Sequence, residues 1–151
     1  MRILHKLVVV GAVLTLVAVA AAGPFRGYGG GGWGPGGAWD RLYDPKTVET
    51  VTGTVKSIDV IASRGMSSGV HITLATGTEV IPVHLGPAWY LEHQDVVLAA
   101  GDKVTVRGSR IQYQGKPAII AAEVTRGADV LSLRNEQGFP RWAAWRHRPA
   151  S

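Results

Sequence analysis

Apolar residues recur at every second position over long stretches of this chain, and the longest such stretch turns back on itself. From Val104 to Val124 the pattern predicts a β-hairpin around Gln114–Gly115, a two-residue connection with glycine where a positive φ is wanted. Pairing outward from that turn sets Tyr113 opposite Lys116 and Ile111 opposite Ala118. The second arm alternates cleanly, with Ala118, Ile120, Ala122 and Val124 on one face. The first arm changes phase: Ile111 and Tyr113 are odd, Val104 and Val106 even. One extra residue near Gly108 restores the register, as a β-bulge does. A long, bulged, bent hairpin suits a small closed barrel.

The rest of the chain supplies the other staves. Val48–Ile61 reads as a long first strand. Val51, Gly53 and Val55 share a face, then Ile58 and Val60 take over with reversed parity, so a second bulge is expected near Lys56–Ser57. Ala62–Gly69 reads as a flexible loop. Val70–Ala75 and Thr78–Leu85 follow as strands, with Val70, Ile72 and Leu74 facing Ile81, Val83 and Leu85 inside. Pro82 falls on the outward phase and marks an edge or a local opening. Pro87 opens one short helix over Ala88–His93, from which Trp89 or Tyr90 plugs a barrel end. Beyond Val124, Val130–Arg134 and Phe139–Trp142 predict a small added hairpin. Trp142 and Trp145 then fall on one side of a helical tail. The order strand, strand, strand, short helix, strand, strand is that of the oligonucleotide/oligosaccharide-binding (OB) barrel. The fold class is therefore all-β: a five-stranded OB-like Greek-key barrel with one short helix between strands 3 and 4, plus a C-terminal hairpin and tail. An SH3-like barrel or a small β-sandwich is the structural rival.

Composition changes the picture mainly at the ends. Arg2, His5 and Lys6 precede an apolar run from Leu7 to Ala22, which ends in small residues before Gly23. This reads as a secretory leader, residues 1–22, cleaved after Ala22. The run is short for the ~30 Å of a bilayer core. The expected location is periplasmic or secreted. With no cysteine in the chain, neither a lipid-anchored thioether nor a disulfide is available. Residues 23–46 set Phe25, Tyr28, Trp33 and Trp39 among glycines and read as a flexible, solvated arm; a sticky aromatic arm is the functional alternative. Residues 47–126 form the barrel and 127–151 the added hairpin and basic tryptophan-bearing tail. Removing Arg2 and Lys6 takes the formal charge from +5 to +3, which is modest for a nucleic-acid binder.

Three stretches carry a resemblance: Val51-Thr52-Gly53-Thr54-Val55, the segment Val83–Leu91, and Gly101–Ser109. Together they resemble small exported bacterial OB-fold proteins of the YdeI-like, stress-tolerance type. The resemblance implies a periplasmic ligand-binding protein. The Gly-rich arm and the tryptophan tail depart from that pattern.

Candidate chemistry is sparse. His71 and His84 lie on the outward phase of neighbouring strands. A four-residue loop, Thr76–Glu79, sets them opposite each other; a two-residue turn at Thr76–Gly77 sets His71 against Pro82 instead. With His93 they form the candidate metal set, and two solvated surface histidines are the plain alternative. Tyr90 and His93, close in sequence, raise haem, although no C-x-x-C-H occurs. Lys56, Lys103, Arg107 and Arg110 form a candidate ligand surface, and single-stranded nucleic acid is the third functional class considered. Export and the short Gln114–Gly115 turn weigh against nucleic acid. Trp142 and Trp145 among arginines suggest a tail that contacts a partner protein or, peripherally, a membrane; packing is expected for Trp142 and exposure for Trp145. Ser132, His147 and Asp129 do not form a recognisable nucleophile motif. The expectation is a non-enzymatic binding or accessory protein of the envelope, without cofactor, whose partner is an envelope protein or a small ligand. Handling of a transition metal or haem is the alternative.

Overall fold

The computed structural model describes residue 33, residues 36–63 and residues 66–143. The predicted leader, Phe25, Tyr28 and Trp145 lie outside the described residues. In chain order the elements are α1 (Ala38–Leu42), a 3₁₀ turn (Pro45–Thr47), β1 (Val48–Ser63), β2 (Met66–Ala75), β3 (Val80–Pro87), α2 (Ala88–Leu91), β4 (Lys103–Tyr113), β5 (Lys116–Arg126) and β6 (Asp129–Ser132).

β1 serves both halves of the barrel. Its first half pairs antiparallel with β4, from Val48↔Ser109 to Thr54↔Lys103, and its second half pairs with β2 from Thr54↔Ala75 onward. Lys56 is left over between Val55↔Leu74 and Ser57↔Thr73, which is the predicted bulge. The sheet runs β3-β2-β1-β4-β5-β6, and a short parallel pairing of β3 with β5, at Val83↔Ile119 and His84↔Ile120, closes β1–β5 into a barrel. With α2 between β3 and β4, this is the OB architecture. Val106, Leu74, Val83, Ile119 and Val124 fill the interior and are fully buried. Tyr90 plugs one end, its hydroxyl donating to the Ser132 carbonyl at 3.1 Å.

The central hairpin turns where predicted. Gln114 and Gly115 take φ of 51° and 75°, and Tyr113 faces Lys116. Its bulge is on the other arm, however. Arg107 pairs with Glu123 and Gly108 with Ala121, so the surplus residue is Ala122. The reason is burial: β5 is buried on both faces from Ala118 to Ala122, so its alternation carried no parity signal.

One further expectation is corrected. Most of the expected loop Ala62–Gly69 is strand, because β1 and β2 stay paired by backbone out to Ile61↔Gly69 and beyond. The added C-terminal hairpin forms on a sixth strand: β6 pairs with β5, Leu131 facing Val124, and the chain then returns through the antiparallel bridge Arg134↔Pro140, with the Arg141 amide donating to the Leu133 carbonyl at 3.0 Å.

The arm over 23–46 is not simply a solvated tether. Where it is described, it crosses the outside of the barrel as a strap. Trp33, Trp39 and Tyr43 are buried at 7–8% exposure. The Asp44 amide donates to Ser109 Oγ at 2.9 Å, and the Thr47 and Ser109 hydroxyls meet at the same distance. Ser109 is thereby fully buried on the barrel's outer surface.

Candidate functional site

β2 and β3 place the site. The four-residue loop is the one that forms: the Thr76 amide donates to the Glu79 carbonyl at 2.8 Å, and the Thr76 hydroxyl accepts from the Glu79 amide at 3.1 Å. Leu74 then faces Ile81, and His71 faces His84. Both histidines leave the barrel interior, as alternation requires. They are not solvated surface residues, because the strap covers them.

The rings meet nearly at right angles, 84°, with centroids 4.1 Å apart. His84 Nδ1 and His71 Nε2 share one proton across 3.3 Å. Trp39 lies over His84 with centroids 3.9 Å apart and reaches His71 edge-on. Trp33 stacks on Trp39 at 5.4 Å, and Tyr113 closes the other side, 5.7 Å from His84. His84 is 3% exposed, and its Nε2 is buried without a hydrogen-bond partner. Burial holds both imidazoles neutral. It pushes His71 down to about 4 against the opposing pull of Asp59. It pushes His84 lower still, with His71 and Arg134 adding in the same direction.

Glycines make room for the rings. A Cβ on Gly69 would lie 2.3 Å from the Trp33 ring, and one on Gly86 would lie 2.9 Å from Trp142. Gly69→Ala is therefore expected to displace Trp33. The measurement is a urea melt followed by tryptophan emission: a loss of about 1–3 kcal/mol with a red-shifted native spectrum. An unchanged spectrum and midpoint would show that Trp33 is not seated there.

Trp142 is packed, at 1% exposure, and its indole N–H donates to the Trp33 carbonyl. Its ring is therefore in the core and not on the surface expected to meet a membrane or a partner. Beneath it lies Arg134, which the sequence reading did not single out. Its guanidinium sits 4.9 Å from the Trp142 ring centre and donates to the carbonyls of Leu85 on β3 and Ala121 on β5. These carbonyls lie just past the two-residue β3–β5 pairing, so Arg134 continues the barrel's seam where the strands part. Desolvation pulls its pKa down to about 9.

The other predicted site residues do not converge. His93 is exposed, its Nδ1 beside the Trp89 carbonyl at 2.5 Å. Among the described residues no group of three or more His, Asp or Glu side chains could hold a metal ion, so the set His71, His84 and His93 does not form. Haem ligation by Tyr90 with His93 does not fit either, since Tyr90 is buried with its hydroxyl on Ser132. The basic surface is largely neutralised. Arg110 bridges Glu49, at 2.7 Å, and Glu79, and Arg107 lies 3.9 Å from Glu123. Lys56 and Lys103 are exposed. A second preformed space is an apolar cleft of about 340 Å³ between β1, β2, α2 and Val96–Leu98, with Glu92 among its lining.

Residues 47–131, the barrel and the start of β6, match the family model of MamS/MamX magnetosome proteins. The chain belongs to the MamS/MamX magnetosome protein family. Membership fits an accessory protein of the envelope or magnetosome. The bacterial OB architecture of the resemblance drawn from the sequence stands. Among curated proteins none matches the chain. Solved structures similar to this chain include one from a replication protein A heterotrimer bound to single-stranded DNA, at 19% identity and a TM-score of 0.42. That match covers 55% of this chain and 59% of the other, so this chain spans well under two thirds of that relative. Another is from the S. pombe Stn1–Ten1 complex, at 17% identity and a TM-score of 0.41, covering 77% and 88% of the two chains.

Proposed function

We propose that this chain is an exported, non-enzymatic accessory protein of the magnetosome or the surrounding envelope, and that its work is binding. The observation that carries the reading is the family match across the whole barrel. The apolar run Leu7–Ala22 ahead of it, which reads as a leader, supports export. The scaffold presents preformed places, the histidine box and the apolar cleft, on a closed barrel. The stress-tolerance role implied by the YdeI-like resemblance is subordinate to this reading.

Fractionation of a magnetosome-forming host tests it. The chain, shortened at its N-terminus, is expected with the magnetosome or envelope fraction. Recovery of the full-length chain in the cytosol overturns the proposal. Turnover by the purified protein that a single polar substitution abolishes would overturn its non-enzymatic part.

The ion pairs of Arg107 and Arg110 argue against a nucleic-acid role, because carboxylates already occupy the charges a phosphate would need. The expected Kd for single-stranded DNA at physiological salt is weaker than ~0.1 mM. Tighter, salt-sensitive binding in a filter or anisotropy titration would restore that role.

A further inference from the structure

We propose that His84 Nδ1 and His71 Nε2 form a two-coordinate site for a soft monovalent cation, Cu(I), beneath the Trp39–Trp33 strap. This names the ligand class of the binding protein argued above and rests on that reading. The test uses purified protein, so it stands apart from the localisation result.

Geometry comes first. The two nitrogens point at each other from paired strands, 3.3 Å apart, with the rings almost perpendicular. A metal between them needs a nitrogen separation of ~4 Å, twice a ~2 Å metal–nitrogen bond. The pair therefore opens by less than an ångström as the ion enters, and the bridging proton moves to the far nitrogen of its own ring, so that both imidazoles stay neutral. His71 is the less buried of the two and gives access from solvent.

Charge selects the ion. The cost of bringing an ion into a poorly polarisable site rises with the square of its charge. Among the described residues no third His, Asp or Glu joins the pair to offset a divalent ion. The charged groups that act on the histidines are Asp59, across from His71, and Arg134, behind His84, and they oppose each other. A divalent ion would lack both ligands and compensation. A monovalent ion accepts two neutral imidazoles and gains from the π face of Trp39, which lies over His84.

The experiment is an anaerobic titration of the protein, purified from its host, with Cu(I) in competition with a chromophoric Cu(I) chelator. Ag(I) serves as the redox-inert counterpart, followed by tryptophan fluorescence. One equivalent is expected to bind, with quenching of tryptophan emission and no comparable binding of Zn(II). His71→Gln is expected to weaken binding by more than about 100-fold, beyond what loss of a supporting outer group costs. Imidazole ¹⁵N shifts of the unaltered protein are expected to move at two histidines on Ag(I) addition, which keeps the test decisive where the variant folds poorly. Failure to compete with the chelator, unchanged affinity in His71→Gln, equal binding of Zn(II), or ¹⁵N shifts confined to other histidines would each overturn the proposal.

Discussion

Arg134→Ala is expected to cost about 3–5 kcal/mol of folding stability, the largest effect of any single change proposed for this protein. The side chain is 2% exposed and spans the point where β3 and β5 separate. Its removal leaves the Leu85 and Ala121 carbonyls without their donor, at about 1–3 kcal/mol each. It also leaves a cavity beneath Trp142 and forfeits the cation–π contact. Relief from burying the charge works the other way, which is why the loss is smaller than these costs taken together. Arg134→Met separates the effects, because methionine refills the space and removes the charge while leaving both carbonyls orphaned. Its expected loss is about 2 kcal/mol. Urea midpoints of the two variants decide the matter. A methionine variant as stable as the unaltered protein would show that the charge, not the seam, dominates at this position.

Acid is expected to destabilise the protein well above the carboxylate range. The sign follows from the two histidines. Each has a folded pKa depressed below its unfolded value of 6.5. Their contribution is complete above pH 6.5 and is lost as pH falls towards about 4, because only the unfolded chain takes up the protons. Each histidine contributes up to about 1.4 kcal/mol per pH unit in that window. The two share one hydrogen bond and titrate as a pair, so a combined loss of roughly 3 kcal/mol between pH 6.5 and 4.5 is the expected scale. Glu79 and Asp102, held low by Arg110 and by the Ala99 amide with Arg126, lose their contributions only below their ordinary values of 4.5 and 3.8. Urea midpoints at pH 7, 5.5 and 4.5 measure the slope, and His71→Gln should flatten it. A profile that is level from pH 7 to 5 would contradict neutral, buried histidines.

How far the sequence carried the fold is clearest in the strand registers. The Gln114–Gly115 turn fixed Tyr113 against Lys116, and the bulge at Lys56 followed from a parity change that only an extra residue repairs. Of the two registers open for His71, the four-residue loop formed because Thr76 bonds both ways with Glu79. Burial of the outer surface was not legible. Alternation tells which side chains leave the barrel interior, not what another segment lays over them. His71 and His84 therefore read as surface groups, although Trp39 covers them. The bulge residue Ala122 was misplaced for the same reason. Arg134 gave no local signal, since its role depends on carbonyls 49 and 13 residues away. The glycines that seat Trp33 and Trp142 looked like plain turn or strand residues until the rings were in place.

The bond from Trp142 to the Trp33 carbonyl joins positions 109 apart in the sequence. Synthesis runs from the first of these to the second. The strap therefore emerges long before the surface it covers exists: the β2–β3 face, the β4 serine that anchors it and the tryptophan that locks it all come later. Complete docking of the strap waits for those later residues. Until then the histidine pair stands open to solvent. A nascent chain thus passes through a stage in which its most sheltered groups are accessible, and the last contact to form is the one that seals them.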